Sequence, residues 1–195
     1  MDTWLGFFEL TGKVKKANEI ENLIKVPLVR QPNTYTCGVA AVLSILGYYG
    51  KELSYDDLTK ELKATDKNGV DHRDIIKFFK TNGFDVELQK GMLMSDLMGC
   101  IDESIPVIVC LQAWAQDSIV EAESWEHGHW AVVVGYDEEN VYLMDPSTLG
   151  NYTYIPIDEF AQRWHDQDGE IRLRQAGIIV RGTKRFDAEA LKKLE

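Results

Sequence analysis

The segment Thr36-Cys-Gly-Val-Ala-Ala-Val-Leu-Ser-Ile-Leu-Gly-Tyr-Tyr-Gly50 constrains this chain more than any other. Apolar or small residues occupy every side of its helical wheel, so as a helix it has no face that prefers water. A membrane would accept such a helix, but a span needs about 20 apolar residues and the run from Gly38 to Gly50 falls well short. Burial on most sides is what remains, and that requires a core built by the rest of the chain. With 195 residues the chain has the size of one domain, enough to bury such a core without metal or disulfide staples. Its 45% hydrophobic and 27% charged residues describe an ordinary soluble globular protein.

Around this central helix the elements follow from periodicity and punctuation. Ser54 with Asp57 resembles a capping box opening a short helix to about Lys63, and Asp71 to Thr81 repeats the pattern before Asn82-Gly83 stops it. Phe84 to Leu88 alternates like a half-buried strand, Met94 to Glu103 reads as a helix, and Pro106 to Leu111 opens a run of strands. His129 to Tyr136, a turn at Asp137-Glu-Glu-Asn140, and Val141 to Met144 make a hairpin. Tyr152 to Ile155, a helix at Ile157 to Trp164, and Ala176 to Arg181 extend the sheet before a charged terminal helix from Asp187. Helices first and antiparallel sheet second is the α+β layout. Residues 26–195 read as a single domain, on which an N-terminal extension, 1–25, with the apolar cluster Trp4, Leu5, Phe7 and Phe8, is expected to pack.

Charge and cysteines narrow the function. Lys and Arg number 21 against 32 Asp and Glu, a formal charge of −11, which repels phosphate backbones and anionic lipid and disfavours nucleic-acid and membrane-surface roles. The N-terminus begins with an acid after Met1, puts its basic residues after the apolar ones and lacks a small-residue cleavage site, so a cytoplasmic location is expected. The three cysteines, Cys37, Cys100 and Cys110, are odd in number and lack CxxC spacing, which argues against a disulfide framework or zinc ribbon. No cofactor is called for, and the oligomeric state is left open.

Chemistry concentrates in Gln31-Pro-Asn-Thr-Tyr-Thr-Cys37-Gly, Gly128-His129-Trp-Ala-Val-Val-Val-Gly-Tyr, and Leu143-Met-Asp145-Pro-Ser. Cys37 sits at the N-terminal end of the buried helix, where unpaired N–H groups and the positive dipole end favour thiolate over thiol. His129 opens one strand of the hairpin and Asp145 follows the other, so antiparallel pairing brings both to the same end of the sheet. Gln31 lies six residues before Cys37 across a Pro-Asn-Thr turn, placing an amide donor where an oxyanion beside the cysteine would need one. Thiolate, imidazole base, carboxylate orienter and oxyanion donor together are acyl-transfer machinery.

Gln-x5-Cys-Gly before a hydrophobic helix, followed in order by Gly-His-Trp-Ala-Val-Val-Val-Gly-Tyr and Asp-Pro-Ser, resembles the papain-like cysteine peptidases of the bacteriocin-processing, double-glycine leader peptidase family. The resemblance runs from about Val26 to Gly182 and is nearer the stand-alone bacterial relatives than the transporter-fused ones. It implies a papain-like fold, Cys37 as nucleophile, His129 as general base, Asp145 as its orienter and Gln31 as oxyanion donor. The substrate implied is a leader-like or other peptide or protein; an acyltransferase or transpeptidase of the same fold, or a catalytically inactive peptide-binding module, is the alternative.

Other residues read more plainly. Cys100 and Cys110 are expected to pack in the core, His72 and His165 to be solvated on amphipathic helices, and His127 to be loop. The His127-Gly-His129 spacing invites a zinc reading, but no nearby Cys or His completes a ligand set. Trp114 and Trp125, in the acidic stretch from Gln112 to Glu126, and Trp130 are the candidates for lining a substrate cleft.

Overall fold

The computed structural model describes residues 16–113, 124–190 and 193. Helix α1, Cys37–Tyr48, is the buried helix the sequence requires, with Val39 to Val42, Ile45, Leu46 and Tyr48 all in the core. The buried hydroxyl of Ser44 escapes an unpaired burial by donating to Pro27 O at 2.7 Å. Helix α2, Tyr55–Glu61, is capped by Ser54, whose Oγ accepts the Asp57 N–H at 3.1 Å. Helix α3, His72–Thr81, is capped by Asp71, which accepts the Arg73 N–H at 2.7 Å. Strand β1, Asp85–Gln89, and helix α4, Met94–Asp102, follow.

The C-terminal half supplies β2, Val107–Gln112; β3, Gly128–Tyr136; β4, Asn140–Met144; β5, Thr153–Pro156; helix α5, Ile157–Arg163; β6, His165–Asp168; β7, Ile171–Arg174; and β8, Gly177–Arg181. Six of these strands form one antiparallel sheet in the order β1-β8-β2-β3-β4-β5, so the chain has the expected α+β architecture with α1 laid against β3. Strand β2 is buried at every position, which explains its uninterrupted apolar run. The register of β3 with β4 shifts between Val133 and Gly135. The Val134 carbonyl at that irregularity accepts the Ile24 N–H at 2.7 Å. Residues 20–24 thereby lie on the sheet, with Ile20 and Ile24 buried; Trp4, Leu5, Phe7 and Phe8 lie outside the described residues.

Three local expectations are corrected. The stretch His165-Asp-Gln-Asp-Gly-Glu-Ile-Arg-Leu-Arg174 is the two-stranded hairpin β6-β7, turning at Gly169-Glu170 with Gly169 at φ +61. His165 is accordingly no surface helix residue: it is 3% exposed, with Nδ1 3.0 Å from Gln162 O and Nε2 2.9 Å from Ser124 O. His72 is likewise 3% exposed, because Asp168 accepts its backbone N–H at 2.9 Å and lies 2.6 Å from its Nδ1. From Asp187 to Ala190 there is a single turn in place of the expected terminal helix, with Glu189 N–H spent on the Asp187 side chain.

Candidate active site

Cys37 is the first residue of α1 and is buried, its Sγ accepting the Trp130 N–H at 3.5 Å. No side chain caps the start of α1, because Thr36 Oγ1 donates instead to Asn33 Oδ1 at 2.8 Å. The first-turn N–H groups and the positive end of the helix dipole are therefore left facing the space around the thiol.

His129, the second residue of β3, places Nε2 2.7 Å from Asp145 Oδ1, and the Cys37 side chain is close enough to the same imidazole to favour its protonated form. With Nε2 committed to Asp145, Nδ1 is the nitrogen that meets the thiol. Burial works against the imidazolium, but Asp145 and then Cys37 outweigh it and push His129 up to about 9. Burial also opposes the Asp145 carboxylate, yet hydrogen bonds from His129 and Ser147 hold it well below the usual carboxylate range. Asp145 is itself immobilised: Oδ1 accepts the Ser147 N–H at 2.9 Å, and Oδ2 accepts the hydroxyls of Ser147 at 2.6 Å and Thr148 at 2.9 Å.

Gln31 is 9% exposed, and its backbone N–H donates to Pro146 O at 2.9 Å, tying the loop before α1 to the turn after Asp145. Its side-chain Nε2 donates to Asn33 O at 2.6 Å, while Oε1 is buried without a partner among the described residues. An amide nitrogen carries two hydrogens, so one remains after the Asn33 bond is made. None of the Gln31 bonds among the described residues reaches Cys37 or His129.

A cleft of about 400 Å³ opens beside the thiol, lined by Cys37, Trp125 and Trp130 together with the 66–70 loop and the β6-β7 hairpin. Trp130 is buried and fixed by Nε1 donating to Val70 O at 3.0 Å. Trp125 is partly exposed, held between its ring contact with His165 at 4.6 Å and the guanidiniums of Arg172 and Arg174, each 4.7 Å from its ring. Trp114 lies outside the described residues. His127 is an exposed residue whose N–H donates to Gln112 Oε1 at 3.0 Å. Among the described residues the side chains with metal-like spacing are Asp71, His72 and Asp168, a group whose carboxylates are already taken up by His72 and Arg73. Sequence reasoning missed Asp166, which also lines the cleft; the Gly169-Glu170 turn between alternating residues was the signal that would have put it on a strand.

A model of the Peptidase_C39 like family matches residues 23–170. The chain belongs to that family. The C39-like chain is 25% identical over 135 residues, 69% of its length, to the transport/processing ATP-binding protein ComA of Streptococcus pneumoniae strain R6. It is 26% identical over 137 residues to the lactococcin-G-processing and transport ATP-binding protein LagD of Lactococcus lactis subsp. lactis. It spans only 17% of the length of each of these relatives. Its fold is that of the peptidase domain of Streptococcus ComA, with a TM-score of 0.60 at 22% identity over 82% of this chain and 99% of that one. A C39-like peptidase described as putative, from Bacillus anthracis, gives a TM-score of 0.63 at 18% identity over 85% of this chain and 98% of that one.

Proposed function

We propose that this C39-like chain is a cysteine peptidase whose nucleophile is Cys37, with His129 as base, Asp145 as its orienter and Gln31 as an oxyanion donor. The observation that carries this is the convergence on one imidazole of the buried Cys37 thiol, which raises the His129 pKa, and the Asp145 carboxylate, 2.7 Å from Nε2. The thiol proton passes to His129 Nδ1, and Sγ attacks the peptide carbonyl carbon to give a tetrahedral oxyanion. The uncapped N–H groups at the start of α1 and the second Gln31 amide hydrogen stabilise that charge. His129 then returns the proton to the leaving amine, a thioester remains on Cys37, and water activated by the same imidazole releases the acid. Asp145 acts through His129 alone: it fixes the tautomer and stabilises the imidazolium.

The substrate class is a peptide or protein segment laid along the Cys37 cleft, with Trp125 and Trp130 as its aromatic walls and Trp114 as a further contact. Leader peptides are the first class to test, because a double glycine motif protease from an AMS/PCAT transporter, of the same fold with a TM-score of 0.59, is known in complex with one. A free nucleophilic thiol fits a reducing compartment such as the cytoplasm. The domain so defined runs over residues 26–195, with 1–25 as an extension packed on it.

Alkylation tests the nucleophile without a known substrate. At pH 6 Cys37 should react with iodoacetamide far faster than a free thiol of pKa ~8.5, and faster than Cys100 or Cys110. Equal labelling of all three in the folded protein, or none at Cys37, sinks the assignment.

A further inference from the structure

We infer that the Cys37 cleft selects a cationic side chain, lysine or arginine, close to the scissile bond of its substrate, and that Asp166 is the residue that sets this preference. The inference rests on the cysteine-peptidase reading in one respect: whatever Cys37 attacks must lie in this cleft, so a ligand there is implied by the reaction.

The charge of the walls is one-sided. Four acids line the cleft, Asp66, Glu126, Asp166 and Asp168, against one base, Lys67. They are not equivalent. Asp66 and Glu126 are exposed, where water screens them. Asp168 is spent on His72, accepting both its backbone N–H and its ring Nδ1 bond on Oδ2. Asp166 is the one that is both well shielded from water and poorly partnered. Its Oδ1 accepts from Gln112 Nε2 at a long 3.2 Å, and the Gln167 backbone N–H supplies a further bond. An ionised carboxylate offers about four acceptor positions.

Its position is next to the chemistry. The Asp166 carboxylate lies directly over the Cα of Gly128, and a Cβ on residue 128 would run into it. Gly128 is the residue before His129, so the carboxylate takes the place of a side chain in the cleft wall one position along β3 from the histidine. An acidic substrate group there would add like charge. An apolar group would strip water from the carboxylate and give nothing back. An ammonium or guanidinium would supply the missing donors as charge-assisted hydrogen bonds.

The protonation of Asp166 makes the preference testable by pH. Burial raises its carboxyl to about 6; the Gln167 N–H and Gln112 amide oppose that, neighbouring Asp168 adds to it, and His129 opposes it. The other charges near this wall are Glu126, Lys67, and Arg172 and Arg174, whose guanidiniums are held over the Trp125 ring. Asp166 is therefore charged at pH 7.5 and largely neutral at pH 5.

The test uses methanethiosulfonates that differ in charge: trimethylammonium-ethyl, methyl and sulfonatoethyl. Modification of Cys37 in the full chain is followed by peptide mapping, with glutathione as the reference thiol. Cationic and anionic reagents meet the same thiolate, so their rate ratio cancels its abundance and reports the local field. The ratio, relative to glutathione, should be at least about tenfold at pH 7.5. Asp166→Asn should lower it about five- to tenfold, and taking the unmodified protein from pH 7.5 to pH 5 should shrink it in the same direction. The pH series needs no variant, so a misfolded Asp166→Asn protein would not spoil the test. Rapid reaction with the neutral reagent but a ratio indifferent to both Asp166→Asn and pH overturns the inference and leaves the nucleophile standing. Silence of Cys37 toward all three reagents overturns the nucleophile, and the inference with it.

Discussion

At the scale of single residues, the proposed roles separate proton transfer from charge stabilisation, and variants should separate with them. As the proposed proton carrier, His129 should give the most damaging change of the set in His129→Ala. The proposed part of Asp145 is to fix which nitrogen of His129 faces the thiol. Asp145→Asn keeps its size while disturbing the tautomer, and in serine triads such a change costs about 10⁴ in kcat. A smaller loss of roughly 10–10³ is expected here, because a thiol is intrinsically far more acidic than a serine hydroxyl and depends less on its base. Gln31, as the proposed oxyanion donor, would act on the transition state: Gln31→Ala should lower kcat by ~10²–10³ with KM nearly constant and Cys37 alkylation little changed. Full kcat in Gln31→Ala would mean that the N–H groups of α1 suffice. Activity surviving His129→Ala while Asp145→Asn abolished it would overturn the role assignment.

At the scale of elements, the thiol is only as well placed as the start of α1. Gly38, the residue after Cys37, packs so closely that an added Cβ would stand 2.8 Å from Val70 Cβ and 3.2 Å from Trp130 Cδ1. Two effects of Gly38→Ala oppose each other. Helix propensity gains ~1 kcal/mol, whereas overpacking against a buried valine and an indole fixed by its own hydrogen bond costs about 1–3 kcal/mol. A net loss of stability in urea melts is expected, together with slower alkylation of Cys37, since relief requires the helix start to shift away from β3. A Gly38→Ala protein as stable and as reactive as the parent would show that Val70 and Trp130 yield more easily than their burial suggests.

At the scale of the whole molecule, the cleft carboxylate carries a stability cost. Asp166 has a folded-state pKa of about 6, above its ordinary value of 3.8, so the fold favours its neutral form. That contribution is fully present below the ordinary value and is lost as pH rises through about 6. Asp166→Asn should therefore stabilise the protein at pH 7.5 by about 1–3 kcal/mol, with the gain vanishing near pH 4. A gain that persists undiminished at pH 4 would exclude ionisation as its cause. The N-terminal arm is expected to add stability as well. Deleting residues 1–25 removes buried Ile20 and Ile24 and the Ile24 bond to Val134, and each buried isoleucine is worth about 1.5–3 kcal/mol. An unchanged melting temperature and no new dye-binding surface would instead make the segment a loose arm.

Much of this was legible in the sequence because it depends on residues near one another in the chain. The all-apolar wheel of 36–50 required a buried helix whichever partners it found, and Cys37 at its start follows from the helix boundary. His129 and Asp145 reach the same end of the sheet because a short hairpin joins them, and with the carboxylate held by Ser147 and Thr148 the two stand 2.7 Å apart. What only the tertiary structure decided are the encounters across long stretches of chain. The Trp130 N–H reaches Cys37 across 93 residues, and His72 finds Asp168 across 96. Periodicity states which face of an element is apolar but not which element covers it, so a polar residue whose partner is remote reads as solvated. His72 and His165 were misread for that reason. Asp166 is the sharpest case: as one acid among many it carries no signal in a chain with 32 of them. Only the folding of β6 across the glycine before His129 turns it into a shielded charge at the nucleophile's cleft.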